Sequence, residues 1–273
     1  MTAAAEFTAL HHGQRPFLLP NAWDVASALL LADAGFPAIG TTSLGVTAAA
    51  GLLDGAGSGL GLTVALAREV VPRLRVPVTV DLEGGFSEEP AHVAALAVEL
   101  ADIGVAGINL EDGREDGSLR PAAEHAAILG AVVAAAPSLF VNARTDTYWL
   151  RTGPEEERLG ETLRRLHTYR DAGASGVFVP GLTDLALTAT VVTTVDLPLN
   201  VLCRSDGDLS GLAEAGVARV STGSALYRHA LAGAVAAAEA ARAGHRLPGT
   251  PVDYQHLQQC LSATVPAGGS ADG

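Results

Sequence analysis

The chain has 273 residues, 48% of them hydrophobic but only 4% aromatic, enough apolar surface for one large core of alanine- and valine-rich helices on a parallel sheet. A formal net charge of −13 argues against nucleic acid and anionic membranes as partners, because both would be repelled over most of the surface. All 17 basic residues are arginine, which excludes chemistry that needs a lysine amine, such as Schiff-base cleavage or anchoring of pyridoxal phosphate.

Met1 to Gln14 has no basic start, signal-length apolar run or cleavage site, and no later segment has the apolar length of a membrane span, so the expected location is cytoplasmic. Short apolar runs then alternate with longer amphipathic or alanine-rich segments, the pattern of repeated βα units. Eight strands are predicted: Phe17 to Leu19, Ala38 to Thr41, Val78 to Asp81, Gly107 to Leu110, Leu139 to Asn142, Gly176 to Val179, Leu199 to Leu202 and Ala218 to Val220. Helices are expected between them, including Ala22 to Ala34, Thr63 to Leu74, Ala91 to Ile103, Ala122 to Ala135, Glu155 to Ala172 and Leu209 to Ala215.

A phrase recurs where helices must stop: Asp33-Ala-Gly35, Asp102-Ile-Gly104, Asp171-Ala-Gly173 and Glu214-Ala-Gly216. Glycine takes the left-handed conformation that satisfies the last helical carbonyls, so each phrase reads as a C-terminal cap. The fold class is therefore α/β, a (β/α)8 TIM-type barrel over residues 1–247 that includes its C-terminal helix. Residues 248–273 read as a tail with a short helix from Tyr254 to Leu261, the last dozen residues being expected to be disordered. The glycine-rich stretch from Leu44 to Leu62, carrying one acid, Asp54, reads as a loop on the C-terminal face, where barrel active sites lie.

The third predicted strand runs into Asp81-Leu-Glu83-Gly-Gly, and period-two alternation places Asp81 and Glu83 on one face at its C-terminal end. Hard cations prefer such carboxylates, so these two residues are the candidate ligands of Mg2+, with Mn2+ as the substitute. The fourth strand adds Glu111 and Asp112, giving four rim carboxylates whose repulsion a cation would relieve. The fifth ends in Asn142-Ala-Arg144-Thr-Asp146, where Arg144 is suited either to a substrate carboxylate or phosphonate or to an ion pair with Asp146. Trp23, at the end of strand one, either walls the pocket or packs in the core, and Asn200 in the seventh strand is a further candidate substrate contact. The two cysteines, Cys203 and Cys260, show no spacing that suggests structural zinc.

Leu19-Pro-Asn-Ala-Trp-Asp24, Gly40-Thr-Thr-Ser43-Leu-Gly45, Val80-Asp-Leu-Glu-Gly-Gly-Phe86, Asn109-Leu-Glu-Asp-Gly113, Asn142-Ala-Arg-Thr-Asp146 and Gly216-Val-Ala-Arg-Val-Ser221 occur in that order. Together they make the chain resemble the isocitrate lyase and phosphoenolpyruvate mutase superfamily from Leu19 to about Leu231. The resemblance implies a barrel whose last helix is exchanged with a neighbouring subunit in a homotetramer, a dimer of dimers, and a magnesium ion that holds a small α-oxo carboxylate or its enolate. On that pattern Asp81 is the principal metal ligand, and Asp54 and Glu83 act directly or through water. Glu111 belongs to the same acidic shell, Arg144 clamps the substrate, and the backbone of Ser43, Leu44 and Gly45 binds its carboxylate end.

The departures from the pattern are equally specific. The Lys-x-Cys-Gly-His lid of isocitrate and methylisocitrate lyases has no counterpart in Arg114 to Pro121, and Val179-Pro-Gly181 carries glycine where those lyases have a glutamate. The expected reaction is enolate-based carbon–carbon bond cleavage or formation on a 2-hydroxy or 2-oxo acid. The alternatives are carbon–phosphorus mutase or hydrolase chemistry, oxaloacetate decarboxylation or hydrolysis, and a relative that binds a metabolite without catalysis.

Overall fold

All eight predicted strands are present in a computed structural model of the chain, which describes residues 1–55 and 57–262. In order the elements are α1 (Ala3–Leu10), β1 (Phe17–Leu19), β2 (Asn21–Ala22), α2 (Val25–Asp33), β3 (Ile39–Thr41), α3 (Ser43–Ala49), α4 (Leu60–Val70), β4 (Val78–Asp81), α5 (Pro90–Ile103) and β5 (Gly107–Glu111). There follow α6 (Ala122–Ala135), β6 (Phe140–Arg144), α7 (Glu155–Asp171), β7 (Gly176–Phe178), α8 (Leu185–Val195), β8 (Leu199–Leu202), α9 (Leu209–Glu214), β9 (Arg219–Ser221), α10 (Ala225–Arg242) and α11 (Tyr254–Ser262). The expectation of disorder in the last dozen residues falls, apart from Ser262, outside the described residues.

Nine parallel strands form one sheet in the order β1-β9-β8-β7-β6-β5-β4-β3-β2. The first barrel strand is counted twice because Pro20, which has no N–H, interrupts it: β1 pairs with β9 on one side and β2 with β3 on the other. The Pro20 carbonyl still accepts from the Gly40 N–H at 2.9 Å, so the segment Phe17–Ala22 joins the two ends of the sheet into a TIM-type (β/α)8 barrel. The four Asp/Glu-x-Gly phrases end helices as expected. Gly35, Gly104, Gly173 and Gly216 have φ of 88°, 99°, 98° and 81°, and the next residues of the last three bond back to Leu100, Tyr169 and Leu212.

Alternation sorts every strand into two faces. Val80, Ile108, Leu110, Val141, Val177, Val201 and Val220 pack outward against helix residues such as Leu100, Leu129, Leu166 and Val191, forming the main apolar core. The opposite face looks into the barrel and is polar. Asn142 donates to Asn109 at 2.9 Å, and Arg219 on β9 reaches Asn109 on β5 at 2.6 Å, a contact between strands this far apart in the sheet order that runs through the barrel interior. At the N-terminal end, α1 closes the barrel with Phe7, Phe17, Leu19 and Phe140. His11 stacks on Phe140 at 3.9 Å and donates from Nδ1 to the Phe7 carbonyl at 2.8 Å; burial pushes its pKa down to about 3, so it packs as a neutral ring.

One sequence expectation is corrected here. Leu44 to Leu62 is not a continuous loop, because Ser43–Ala49 is helical and α4 begins at Leu60. Gly45 allows the close approach that holds α3 in place: a Cβ there would lie 2.7 Å from Trp23 Cβ.

Candidate active site

The C-terminal ends of β4, β5 and β6 open into a cavity of about 710 Å³ whose lining includes Ser43, Asp54, Glu83, Glu111, Arg144 and Asp146. Asp81 stands beside it as the last residue of β4; its backbone N–H donates to Thr41 Oγ1 at 3.0 Å, and its Oδ2 accepts from the Ser43 N–H at 3.4 Å. Asp81 and Glu83 converge as expected but for a different reason. The strand ends at Asp81, and Glu83 takes a left-handed φ of 50°, a conformation costing ~1–3 kcal/mol in a non-glycine residue that the surrounding structure must impose.

Register places Glu111 opposite Arg144, and the two form an ion pair through Arg144 Nη1. The other edge of the guanidinium is a fork on Asp146, with Nε and Nη2 donating at 2.6 and 3.0 Å. Arg144 is thus paired with acids and also lines the cavity, with one hydrogen on each Nη uncommitted among the described residues.

Electrostatics at this rim are strained in one direction. Burial, followed by the charges of Asp54 and Asp81, pushes Glu83 up to about 7. Burial likewise raises Asp54, and it raises Glu111 well above the carboxylate range despite the neighbouring Arg144. Arg144 itself is desolvated, yet Glu111, Asp146 and Asp81 together hold it firmly protonated. Asp81 Oδ1 and Glu83 Oε1 are buried without a hydrogen-bond partner among the described residues. Two orphaned carboxylate oxygens within a group of mutually repelling acids fit a hard divalent cation such as Mg2+ or Mn2+.

Asp112 does not belong to this rim. It is fully buried and turned away, accepting from Tyr169 Oη at 2.6 Å, Thr145 Oγ1 at 2.8 Å, the Asp146 N–H at 2.9 Å and Arg165 at 3.1 Å. Adjacency to Glu111 suggested a fourth rim acid, but successive residues face opposite ways, and Asp112 instead anchors the loop that carries Asp146. Arg120 is also structural: buried, it clamps Glu88 and the Gly84 carbonyl, and so fixes the turn after β4. Trp23, Leu44, Gly45 and Asn200 are not among the residues lining the cavity. Trp23 packs edge-on against Tyr227, with centroids 5.4 Å apart, and Asn200 lies inside the barrel, accepting from Ser221 at 3.2 Å.

Two contributors escaped the sequence reading. Trp149, half exposed, forms part of the cavity lip. Arg219 is wholly buried over the Phe7 ring, with Nε and Nη1 unpartnered among the described residues, and burial pulls its pKa down to about 9 while Asp81 opposes the fall. It places a cation inside the barrel beneath the acids. The signal for it was the alternation itself, since Arg219 shares a face with Ser221 in a strand whose intervening residue, Val220, is apolar. At Gly181 the missing glutamate has a steric explanation, because any Cβ would lie 3.1 Å from the backbone of Tyr148 and Trp149.

A parallel β/α barrel with acids gathered around an arginine at its C-terminal rim has its charged groups where the active sites of barrel enzymes lie. The chain belongs to the phosphoenolpyruvate phosphomutase family, whose model matches residues 7–242, within the isocitrate lyase/PEP mutase superfamily of lyases and mutases. It is 44% identical over 255 residues to an uncharacterized protein of Mycobacterium tuberculosis strain H37Rv, covering 93% of this chain and 95% of that one. It is 33% identical over 177 residues to the 2-methylisocitrate lyase of Bacillus subtilis strain 168, covering 60% and 55% respectively. The crystal structure of a proposed phosphonomutase from Burkholderia cenocepacia J2315 superposes with a TM-score of 0.82 at 38% identity, over 87% of this chain and 99% of that one.

Proposed function

We propose that this protein is a divalent-metal-dependent lyase that makes or breaks a carbon–carbon bond through the enolate of a small 2-hydroxy or 2-oxo carboxylate. The observation that carries the reading is the grouping of Asp54, Glu83 and Glu111 around one arginine in a single cavity with Asp81 beside it, two of the carboxylate oxygens having no partner among the described residues. Asp81 and Glu83 would hold Mg2+, whose Lewis acidity supplies stabilisation for negative charge developing on the substrate oxygen. Arg144 binds the substrate's anionic group through its free Nη hydrogens, and Glu111 and Asp146 fix the plane of the guanidinium while it does so. Burial shifts Asp54 and Glu111 upward from the ordinary carboxyl range, which suits these two groups to proton handling at the reacting carbon.

A second reading, carbon–phosphorus mutase or hydrolase chemistry, is favoured by the 38% identity to the proposed phosphonomutase. Deuterium exchange at the methyl group of pyruvate tests the enolate step common to both, and a panel of 2-hydroxy acids, 2-oxo acids and phosphonates separates them. Exchange that depends on Mg2+ or Mn2+ and disappears on chelation is expected. No exchange across the panel, or full activity in enzyme shown by elemental analysis to be metal-free, would overturn the reading.

The same proposal includes a homo-oligomer. Along α10 only Tyr227 is buried, while Leu231 and Val235 are 51% and 59% exposed among alanines. Small side chains permit close helix packing, and an exchange of this helix between copies would cover that face within an obligate interface of over ~2,000 Å². Light scattering at micromolar concentration is expected to give a dimer or tetramer, and a monomer would refute it.

A further inference from the structure

We propose that Asp33, His256 and Cys260 form a second metal site, of the zinc class, which fastens the C-terminal helix α11 to α2. His256 and Cys260 are four residues apart and so share one face of α11, which packs on α2 where Asp33 is the last helical residue. His256 Nε2 lies 3.2 Å from Asp33 Oδ2 and 3.8 Å from Cys260 Sγ, and all three ligand atoms fall within 4.8 Å of one another. A tetrahedral ion with bonds of ~2.0–2.3 Å has its ligands about 3.3–3.8 Å apart, so two of the three edges already match before any ion draws the groups together.

The donor set differs in kind from the barrel rim. Thiolate, imidazole and one carboxylate suit Zn2+ and its borderline neighbours, whereas the all-oxygen rim suits Mg2+ or Mn2+. The alternative account is an exposed histidine–aspartate pair, which by itself contributes little. It accounts for the Asp33–His256 contact and leaves the Cys260 thiol, which the helix spacing sets beside the same imidazole nitrogen, without a role. Asp33 and His256 are half exposed, so an ion can enter without a large desolvation cost and keep water as a fourth ligand. Binding forms metal–sulfur, metal–nitrogen and metal–carboxylate bonds in place of the ion's bonds to hydration water and releases the thiol proton to solvent; the imidazole binds through Nε2 and keeps its proton on Nδ1. The consequence is mechanical: the tail helix becomes tied to the outer helical ring, on the side of α2 opposite the cavity end of the strand that precedes it.

Titration of the reduced, metal-free full chain with Co2+ is expected to develop a thiolate-to-cobalt charge-transfer band that saturates at one ion per chain and is bleached by Zn2+. Cys260→Ser should abolish the band, and His256→Ala should weaken Zn2+ binding about a hundredfold or more, since even the loss of outer-shell partners costs ~10–100-fold. Cys203→Ser, which removes the other cysteine, and Asp81→Asn, which alters only the barrel rim, should both leave the band intact. Absence of the band from the unmodified chain, its survival in Cys260→Ser, or its loss in Cys203→Ser would overturn the assignment.

Discussion

Asp81→Ala is expected to abolish tight Mn2+ binding at the barrel rim and to lower kcat/KM for enolate formation by about 10³-fold or more, because the charge that develops on the substrate oxygen would lose its counter-ion. The structure allows this effect to be separated from unfolding. Among the described residues the Asp81 side chain accepts one long hydrogen bond, from the Ser43 N–H at 3.4 Å, and its Oδ1 has no partner, so little packing depends on it. Its charge also raises Glu83, Asp54 and Glu111, so removing it relieves repulsion. In chelator the variant should therefore melt no lower than the parent chain, while Mg2+, which should stabilise the parent by binding the folded state, should leave the variant unchanged. Electron paramagnetic resonance titration with Mn2+ and thermal melts with and without Mg2+ provide the measurements. Normal Mn2+ affinity in Asp81→Ala would transfer the metal to other residues and sink the assignment.

The parts of the molecule that were legible in the sequence are those governed by local rules. Strand positions followed from apolar runs, and helix ends from the Asp/Glu-x-Gly phrases, because a left-handed glycine cap is a requirement of the chain immediately around it. The clearest case is α6, whose predicted and observed limits coincide at Ala122 and Ala135. Helix α8 has no counterpart among the predicted helices, since Leu185–Val195 is rich in valine and threonine, which favour strands. It is held helical by the Asp184 cap on the Leu187 N–H at 2.9 Å and by burial of Val191 and Val195.

What was not legible depends on tertiary choice. That Glu111 faces the cavity and Asp112 the core follows from strand geometry, but the Tyr169–Arg165–Thr145 cradle that makes burial of Asp112 tolerable comes from residues 33 to 57 positions away. Glu83 reaches the rim through a left-handed turn that no alternation rule gives. Arg219 appeared in the sequence as one letter of a family phrase, and only closure of the barrel shows it as a cation sealed beneath the acids. Cys260 carried no zinc-type spacing in the sequence; its i, i+4 relation to His256 becomes a three-ligand cluster only because the fold supplies Asp33, more than 200 positions earlier.

Arg144→Lys tests the other half of the site, and its expected result differs in kind from that of Asp81→Ala. An ammonium keeps the positive charge but cannot hold the Asp146 fork, pair with Glu111 and present a planar donor pair to a substrate carboxylate together. Loss of bidentate, charge-assisted hydrogen bonding at a desolvated site corresponds to about 1.5–3 kcal/mol, or roughly a 10–100-fold rise in KM. Mn2+ affinity should change little, since the rim keeps all its carboxylates and its net charge. Asp146→Asn is the internal control: it preserves the shape of the partner and Arg144 retains Glu111, so its effect on KM should be smaller than that of Arg144→Lys. Steady-state kinetics on the substrate found in the exchange screen, run beside Mn2+ titrations of all three variants, resolve these roles. If Arg144→Lys is kinetically silent, the guanidinium serves only to pair Glu111 and Asp146, and the substrate's anionic group must be bound elsewhere in the cavity.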